Sequence, residues 1–125
     1  MPAKKAAPAK KARRLSRDEV VRLVELCNGE VNNGGFHQFF SNSTGNETAE
    51  IIQALETIGA KKIAAIVKRA AAKFPGGMPP KDREARNILL DRVDPAINVF
   101  DDLDNQFFSN SEDLEGFLEK WAGWV

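Results

Sequence analysis

Apolar residues recur along most of the chain at the three- and four-residue spacing of a helix face. They form stripes within residues 20–27, 51–58, 63–74, 85–93, 99–107 and 114–121. This spacing is typical of amphipathic helices, whereas half-buried strands alternate with a period of two, and no segment shows convincing alternation. We therefore predict an all-α fold, with six or seven short helices around a single core.

Capping and turn residues predict where these helices begin and end. A Ser or Thr followed three residues later by Glu forms a capping box, which predicts helix starts at Ser16, Thr44 and Ser109. The Asn28-Gly29 pair predicts that the first helix weakens or ends there, and the Asn32–Gly35 run predicts a loop after it. Asp94-Pro95 predicts an N-cap and first helical position. A helix from about Lys81 is expected to bury Ala85, Ile88, Leu89 and Val93.

Length and composition are those of one soluble domain. The chain has 125 residues, 42% of them hydrophobic and 29% charged, and no apolar run approaches the roughly 20 residues of a membrane span. Residues 1–15 are rich in Lys, Ala and Pro, so we predict a disordered tail there and one helical domain over 16–125. The lone Cys27 excludes an internal disulfide, and the basic start lacks the apolar stretch of a secretory signal. Both observations predict a cytoplasmic protein.

The residues needed for catalysis are scarce. His37 is the single histidine and Cys27 the single cysteine, and each falls in an apolar segment where packing is the expected role. No phosphate-binding glycine motif or paired-histidine zinc motif is present. Three aspartates, at positions 101, 102 and 104, resemble part of a calcium loop but lack its Gly and final Glu. We therefore predict no enzyme activity, no cofactor and no metal.

A net charge of zero conceals two ends of opposite sign. Residues 1–14 carry six cations and no acid: Lys4, Lys5, Lys10, Lys11, Arg13 and Arg14. Residues 94–125 carry eight acids against Lys120 alone. Such asymmetry concerns binding partners rather than the fold.

Each charged end suggests a different binding partner. Helix geometry places Glu112, Glu115 and Glu119 about one turn apart on one face. With Asp101, Asp102 and Asp104 they could form a phosphate-like array for a cationic protein groove, although a solvated acidic face explains the same residues. The basic tail supports an alternative, namely weak and sequence-independent contact with DNA or RNA. A solubilising extension explains the tail equally well.

One segment resembles a known family. Residues 30–45, Glu-Val-Asn-Asn-Gly-Gly-Phe-His-Gln-Phe-Phe-Ser-Asn-Ser-Thr-Gly, are similar to the signature of the DNA-mimic-protein-like family, a bacterial domain of unknown function. A second landmark of that family, Leu-Asp followed by an aromatic residue, is similar to Leu103-Asp104 and Phe107. The likeness extends from about Ser16 to Trp121. The residues that carry the first signature here are Asn33, Gly34, Gly35, Phe36, Gln38, Phe39, Asn42 and Gly45.

The resemblance implies an all-α protein without known catalysis, whose best-described relative is a dimer that imitates DNA. It implies that the signature is structural, with Gly34 and Gly35 permitting a turn, the aromatic residues entering the core, and Asn42 with Thr44 capping the next helix. The implied partner is a protein, such as a helix-turn-helix transcription factor, and a homodimer is left open. The only mildly acidic core of this chain and its cationic tail depart from a strong DNA mimic, which should be heavily acidic.

Overall fold

The fold is built entirely from helices in the part of the chain that the computed structural model describes, residues 13–124 without the side chain of Glu112. Five α-helices and two short 3₁₀ helices follow one another, which confirms the predicted all-α fold. In chain order they are α1 (Arg17–Ser41), a 3₁₀ helix (Ser43–Glu47), α2 (Thr48–Thr57), α3 (Lys61–Ala71), a 3₁₀ helix (Pro75–Gly77), α4 (Arg83–Val93) and α5 (Asp101–Ala122). The first twelve residues of the predicted tail lie outside this range. No described helix combines the length and apolar character needed to cross a membrane.

The two longest helices, α1 and α5, run antiparallel along the core. The start of α1 meets the end of α5, where the Arg17 guanidinium donates to the carbonyl of Ala122. The bend in α1 meets the start of α5. Between the helices six buried phenylalanines pack together, with ring centroids of neighbouring pairs 4.9–6.3 Å apart. They are Phe36, Phe39, Phe40, Phe74, Phe100 and Phe107. Each such ring removes roughly 150–250 Å² from water, so this cluster contributes a large share of the apolar burial.

The predicted stop at Asn28-Gly29 is wrong, because α1 continues through it. Cys27 and Val31 are both fully buried on the same side of the helix, and an unbroken helix keeps them there. One glycine in an exposed helix position costs only about 1 kcal/mol, which this packing outweighs. The interruption comes at Gly35 instead, where φ is 74° and ψ is −175°.

Only the first of the three predicted capping boxes forms. Ser16 accepts from the backbone N–H of Glu19, whose carboxylate accepts in return from the N–H of Ser16. Thr44 lies inside a 3₁₀ helix, and α2 begins at Thr48 without a side-chain cap. Ser109 lies in the middle of α5, where its hydroxyl donates to the carbonyl of Asn105. Helix α5 continues past it because Phe107 and Leu114 belong to one buried stripe.

The prediction around α4 is wrong in two respects. Asp94 ends α4 rather than starting the next helix, and α5 begins seven residues later at Asp101. The buried face of α4 is formed by Arg86 and Leu90. Of the four residues predicted to be buried, Ala85, Leu89 and Val93 are half-buried, with Leu89 against the core, whereas Ile88 is 54% exposed. Helix α4 is rotated about its axis relative to the predicted orientation, because the Arg86 side chain, rather than an apolar one, fills the space between the helix and the core.

Candidate protein-interaction face

The proposed carboxylate array lies along α5, but its members point to different sides of the helix. At about 100° per residue, positions 101, 112, 115 and 119 fall within one sector roughly 60° wide. We call these four positions the acidic face: Asp101, Glu112, Glu115 and Glu119. Asp101 and Glu115 are exposed and Glu119 is half-buried. The helix register places the backbone of Glu112 in the same sector.

Asp104 is turned toward the core and does not belong to the acidic face. Its Oδ1 accepts from the backbone N–H of Phe36 at 2.8 Å. Burial raises the pKa of Asp104 above its ordinary value, and the nearby carboxylates of Asp101 and Asp94 add to this effect, against the hydrogen bond from Phe36. Nothing in the local sequence predicts this role, because the contact joins residues 68 positions apart.

Asp102 lies about 100° around the helix from Asp101, on the side of α3. It lines a 420 Å³ surface cavity together with Arg69 and Lys73, and its carboxylate accepts from the side-chain amide of Gln106 at 2.9 Å. The expectation that all six carboxylates share one outward side is therefore not met. Asp102 and Asp104 leave the array, and four positions remain.

Asp101, Glu115 and Glu119 of the acidic face have no intramolecular counter-ion within the described residues. In the described part of the chain, the ion pairs with a nitrogen–oxygen distance of up to 4.0 Å involve other carboxylates. These are the carboxylates of Glu19, Glu47, Asp94, Glu56 and Glu50. Phe108 falls in the same sector of α5 and is 44% exposed. The face thus combines carboxylates with one accessible aromatic ring, a residue that the sequence analysis did not single out.

The basic tail can be assessed only where it joins α1. Arg13 pairs with Glu19 at 3.0 Å, and its carbonyl accepts from the side-chain amide of Gln53 at 2.7 Å. Arg14 is exposed. The other four cations proposed for nucleic-acid contact, Lys4, Lys5, Lys10 and Lys11, lie outside the described residues, so that role stays a prediction.

The signature segment forms a hydrogen-bond network around the carboxylate of Glu30. Glu30 accepts from Gln38 at 2.5 Å, from Asn42 at 2.9 Å and from Thr44 at 2.7 Å. Burial raises the pKa of Glu30, but these three hydrogen bonds outweigh it and hold the pKa below its ordinary value. Asn42 and Thr44 therefore join the first half of bent α1 to the turn that follows the helix, instead of capping α2.

The glycines of the signature permit close approaches. A Cβ on Gly34 would lie 2.1 Å from the side-chain oxygen of Gln38, which folds back toward Glu30. A Cβ on Gly35 would lie 2.5 Å from the carboxylate of Asp104. Asn33 is exposed, while Phe36 and Phe39 are fully buried. These contacts give the motif a structural role, apart from the acidic face.

Arg86 is the largest fully buried side chain, and the sequence analysis missed it. Its guanidinium donates to the carbonyls of Phe40, Asn42, Pro80 and Lys81 and to the side-chain oxygen of Asn46, at 2.6–3.0 Å. A Cβ on Gly45 would lie 2.5 Å from its Nε, so the turn wraps tightly around it. The sequence signal for this burial is the position of Arg86 four residues before Leu90, which places a charged residue on the apolar side of α4.

The His37 side chain is hydrogen-bonded within the fold and the Cys27 side chain is buried in the core, so both contribute to the structure. The Nδ1 of His37 lies 2.8 Å from Oδ2 of Asp94, whose other oxygen accepts from the N–H groups of Asn98 and Val99. Burial raises the pKa of the Cys27 thiol to about 12, so it stays protonated in the core. The described residues contain no group of three or more His, Cys, Asp or Glu side chains that could hold a metal ion.

These features describe an all-α domain whose signature residues support the core and whose last helix exposes carboxylates. The family model of the DMP19-like protein matches residues 14–124. The chain therefore belongs to the DMP19-like protein family, which agrees with the resemblance to a DNA-mimic-like domain. No curated protein and no solved structure matches the chain.

Proposed function

We propose that this protein is a non-enzymatic, DNA-mimic-type interaction domain that binds the basic surface of a DNA-binding regulator through the acidic face of α5. The observation that carries the proposal is the absence of an intramolecular counter-ion at Asp101, Glu115 and Glu119 within the described residues. Carboxylates without a partner in their own chain can be neutralised by a cationic partner surface. Membership of the DMP19-like family supports the same role.

The dimensions of the acidic face suit a groove that otherwise holds a DNA strand. At about 1.5 Å rise per residue, the distance along α5 from Asp101 to Glu119 is roughly 27 Å. One DNA strand presents a phosphate about every 3.4 Å of axis, so this length corresponds to roughly eight phosphates. Four carboxylates make a sparser array than DNA, and the partner is expected to use Phe108 as an additional apolar contact. A helix-turn-helix transcription factor is the proposed class of partner.

The proposal is tested by reversing charges on the acidic face in the full chain. Glu115→Lys/Glu119→Lys changes two carboxylates of the face, and Glu25→Lys/Asp91→Lys makes the same change in net charge at exposed positions of α1 and α4. Each protein is immobilised in equal amount, partners are captured from extract of the native cell, and bound proteins are identified. Circular dichroism verifies that both variants keep the helix content of the native protein.

The expected result is a DNA-binding protein that native and control chains capture and that the α5 variant loses by tenfold or more. Added duplex DNA should release it, because the acidic face and DNA then compete for one surface. Capture that survives the α5 substitutions, or a captured protein that DNA does not release, contradicts the proposed function.

A further inference from the structure

A second charged surface, of opposite sign, covers the outer side of α3 and the turn after it. Between positions 61 and 73 the chain carries five cations and no acid, and all five are exposed. We call this set the α3 basic face: Lys61, Lys62, Lys68, Arg69 and Lys73. The opposite side of α3 is locked into the core by Ile63, Ile66 and Val67, each at most 2% exposed.

The cations form two rows with small residues between them. At about 100° per residue, Lys61 and Lys68 fall on one line, and Lys62 and Arg69 on another roughly 100° away. Lys73 follows in the turn after the helix. Between the rows lie Ala65 and Ala72, whose methyl groups let an approaching surface come close to the backbone. Along α3, from Lys61 to Arg69, the face extends roughly 12 Å at the usual helical rise, and Lys73 adds a cation beyond that length.

Four of the five cations are without a carboxylate partner within 4.0 Å in the described part of the chain. Lys68 pairs with Glu56 at 2.6 Å. Arg69 donates to the neutral side chain of Gln106 at 2.6 Å, which holds the guanidinium in place without neutralising it. Asp102 and Asp113 border the face on the α5 side, sharing surface cavities with Lys73 and Lys62. These acids weaken the attraction for anions but leave the face cationic.

The chemistry of this face favours a phosphate backbone over other anionic partners. A specific protein interface is usually anchored by aromatic or arginine side chains in buried pockets, whereas Arg69 is exposed and only two alanines lie between the cation rows. A membrane-bound amphipathic helix inserts its apolar side, but here that side is already buried in the core. A duplex requires only cations at suitable spacing, and roughly 12 Å of one DNA strand, the length from Lys61 to Arg69, holds about three to four phosphates.

We propose that the α3 basic face binds the phosphate backbone of duplex DNA, without sequence preference. The contact uses a different surface from the acidic face and goes beyond the proposed function, so either can fail without the other. Four available cations should contribute about −3.6 to the slope of log association constant against log salt concentration. That contribution corresponds to a loss of about 100-fold between roughly 50 and 200 mM salt.

The test measures fluorescence anisotropy of a labelled duplex of about 20 base pairs with the full chain, over roughly 50–200 mM salt. Lys62→Glu/Lys73→Glu removes two cations of the face. Arg92→Glu/Lys120→Glu makes the same change in net charge at exposed positions of α4 and α5. Lys62→Gln/Lys73→Gln removes the same two cations without adding acids, in case the reversed variant is poorly folded. Lys4→Ala/Lys5→Ala/Lys10→Ala/Lys11→Ala tests the tail separately.

The α3 reversal should weaken binding at least tenfold near 100 mM salt, and both α3 variants should lower the magnitude of the salt slope by about 2. The Arg92/Lys120 control and the acidic-face variant Glu115→Lys/Glu119→Lys should leave that slope within about 0.5 of the native value. The inference is overturned if the α3 variants keep the native slope, or if the control lowers the slope equally. It is also overturned if the tail substitutions alone abolish binding of the duplex. Binding of poly-glutamate but not of the duplex, with the poly-glutamate binding lost in the α3 variants, would overturn it as well.

Discussion

The carboxylate of Asp104 accepts a hydrogen bond from the backbone N–H of Phe36 at 2.8 Å, which joins the first turn of α5 to the bend in α1. Gly35, just before this N–H, has a φ of 74°, and a Cβ at that position would lie 2.5 Å from the same carboxylate. The glycine turn and the later Leu103-Asp104 pair are thus two sides of one contact. This contact explains why both motifs occur in one domain.

Replacing Gly35 should therefore be costly. Gly35→Ala adds a Cβ that strains the positive φ and collides with Asp104, so we expect the free energy of unfolding to fall by at least about 2 kcal/mol. Gly29→Ala is the matched control, since it lies in the same helix with no atom near the added Cβ. The control should gain about 0.5–1 kcal/mol, because alanine is the better helix former. Urea unfolding measures both, and equal effects would contradict the close approach at Gly35.

Neutralising Asp104 should change how stability depends on pH. Because the folded-state pKa is raised, the folded protein binds more protons than the unfolded chain between the ordinary value of 3.8 and the raised value. Stability from this group is therefore present below about pH 3.8 and is lost as pH rises through the folded pKa. Asp104→Asn keeps the acceptor for Phe36 and removes that loss. The variant should gain stability relative to the native chain between about pH 4 and 7, by less than about 1 kcal/mol given its partial exposure.

Unfolding in urea at about pH 4, 5.5 and 7 tests this prediction. Asp113→Asn, at an exposed position of the same helix, controls for the loss of one charge. A relative stability of Asp104→Asn that declines toward neutral pH would show that the pKa of Asp104 is not raised.

Glu30 should show the opposite dependence on pH. Its folded-state pKa is lowered, so its stabilisation is present above the ordinary value of 4.5 and is lost as pH falls through the folded value. Glu30→Gln replaces a charged acceptor of three hydrogen bonds by a neutral one, and we expect a loss of about 1–2 kcal/mol at neutral pH. The acid unfolding curve, followed by circular dichroism, should be shallower for the variant. An unchanged curve would rule out Glu30 as a contributor to acid sensitivity.

Removing Arg86 should be among the most damaging single changes. Burial lowers the pKa of Arg86, yet an arginine stays protonated in a protein. Its five neutral acceptors replace the water that this charge would otherwise bind. Arg86→Ala leaves four buried or half-buried carbonyls without this donor and opens a cavity, so we expect a loss of about 3–5 kcal/mol. Arg92→Ala, exposed on the same helix, should change stability by less than about 0.5 kcal/mol in the same denaturant titration.

Several local expectations are confirmed because they depend on residues close in sequence. The Ser16 capping box forms, the stripe from Ile63 to Phe74 is buried, and α2 ends just before Gly59, whose φ is 89°. Each of these features is determined within one or two helical turns. A hydrophobic stripe and a capping pair can therefore be recognised in a single sequence.

Other expectations failed where a distant residue decided the outcome. The spacing of Thr44 and Glu47 predicts a helix cap, but the Thr44 hydroxyl donates to Glu30 instead. The acidic neighbours of Asp104 in the sequence predict a place in a partner-binding array, but Asp104 accepts from Phe36 at the bend in α1. A polar side chain takes whichever partner the packed helices place beside it, and sequence spacing does not specify that partner.

The amino-acid sequence by itself determined that this chain forms helices, that one core unites them, and that its last third is acidic. These properties follow from hydrophobic periodicity and composition, which require no knowledge of neighbours in space. Only the tertiary structure decided which carboxylates remain available to a partner. Because α5 packs against α1 and α3, Asp104 accepts a hydrogen bond from Phe36 and Asp102 lies on the side of α3. Contacts across the core outweigh the preferences of single turns.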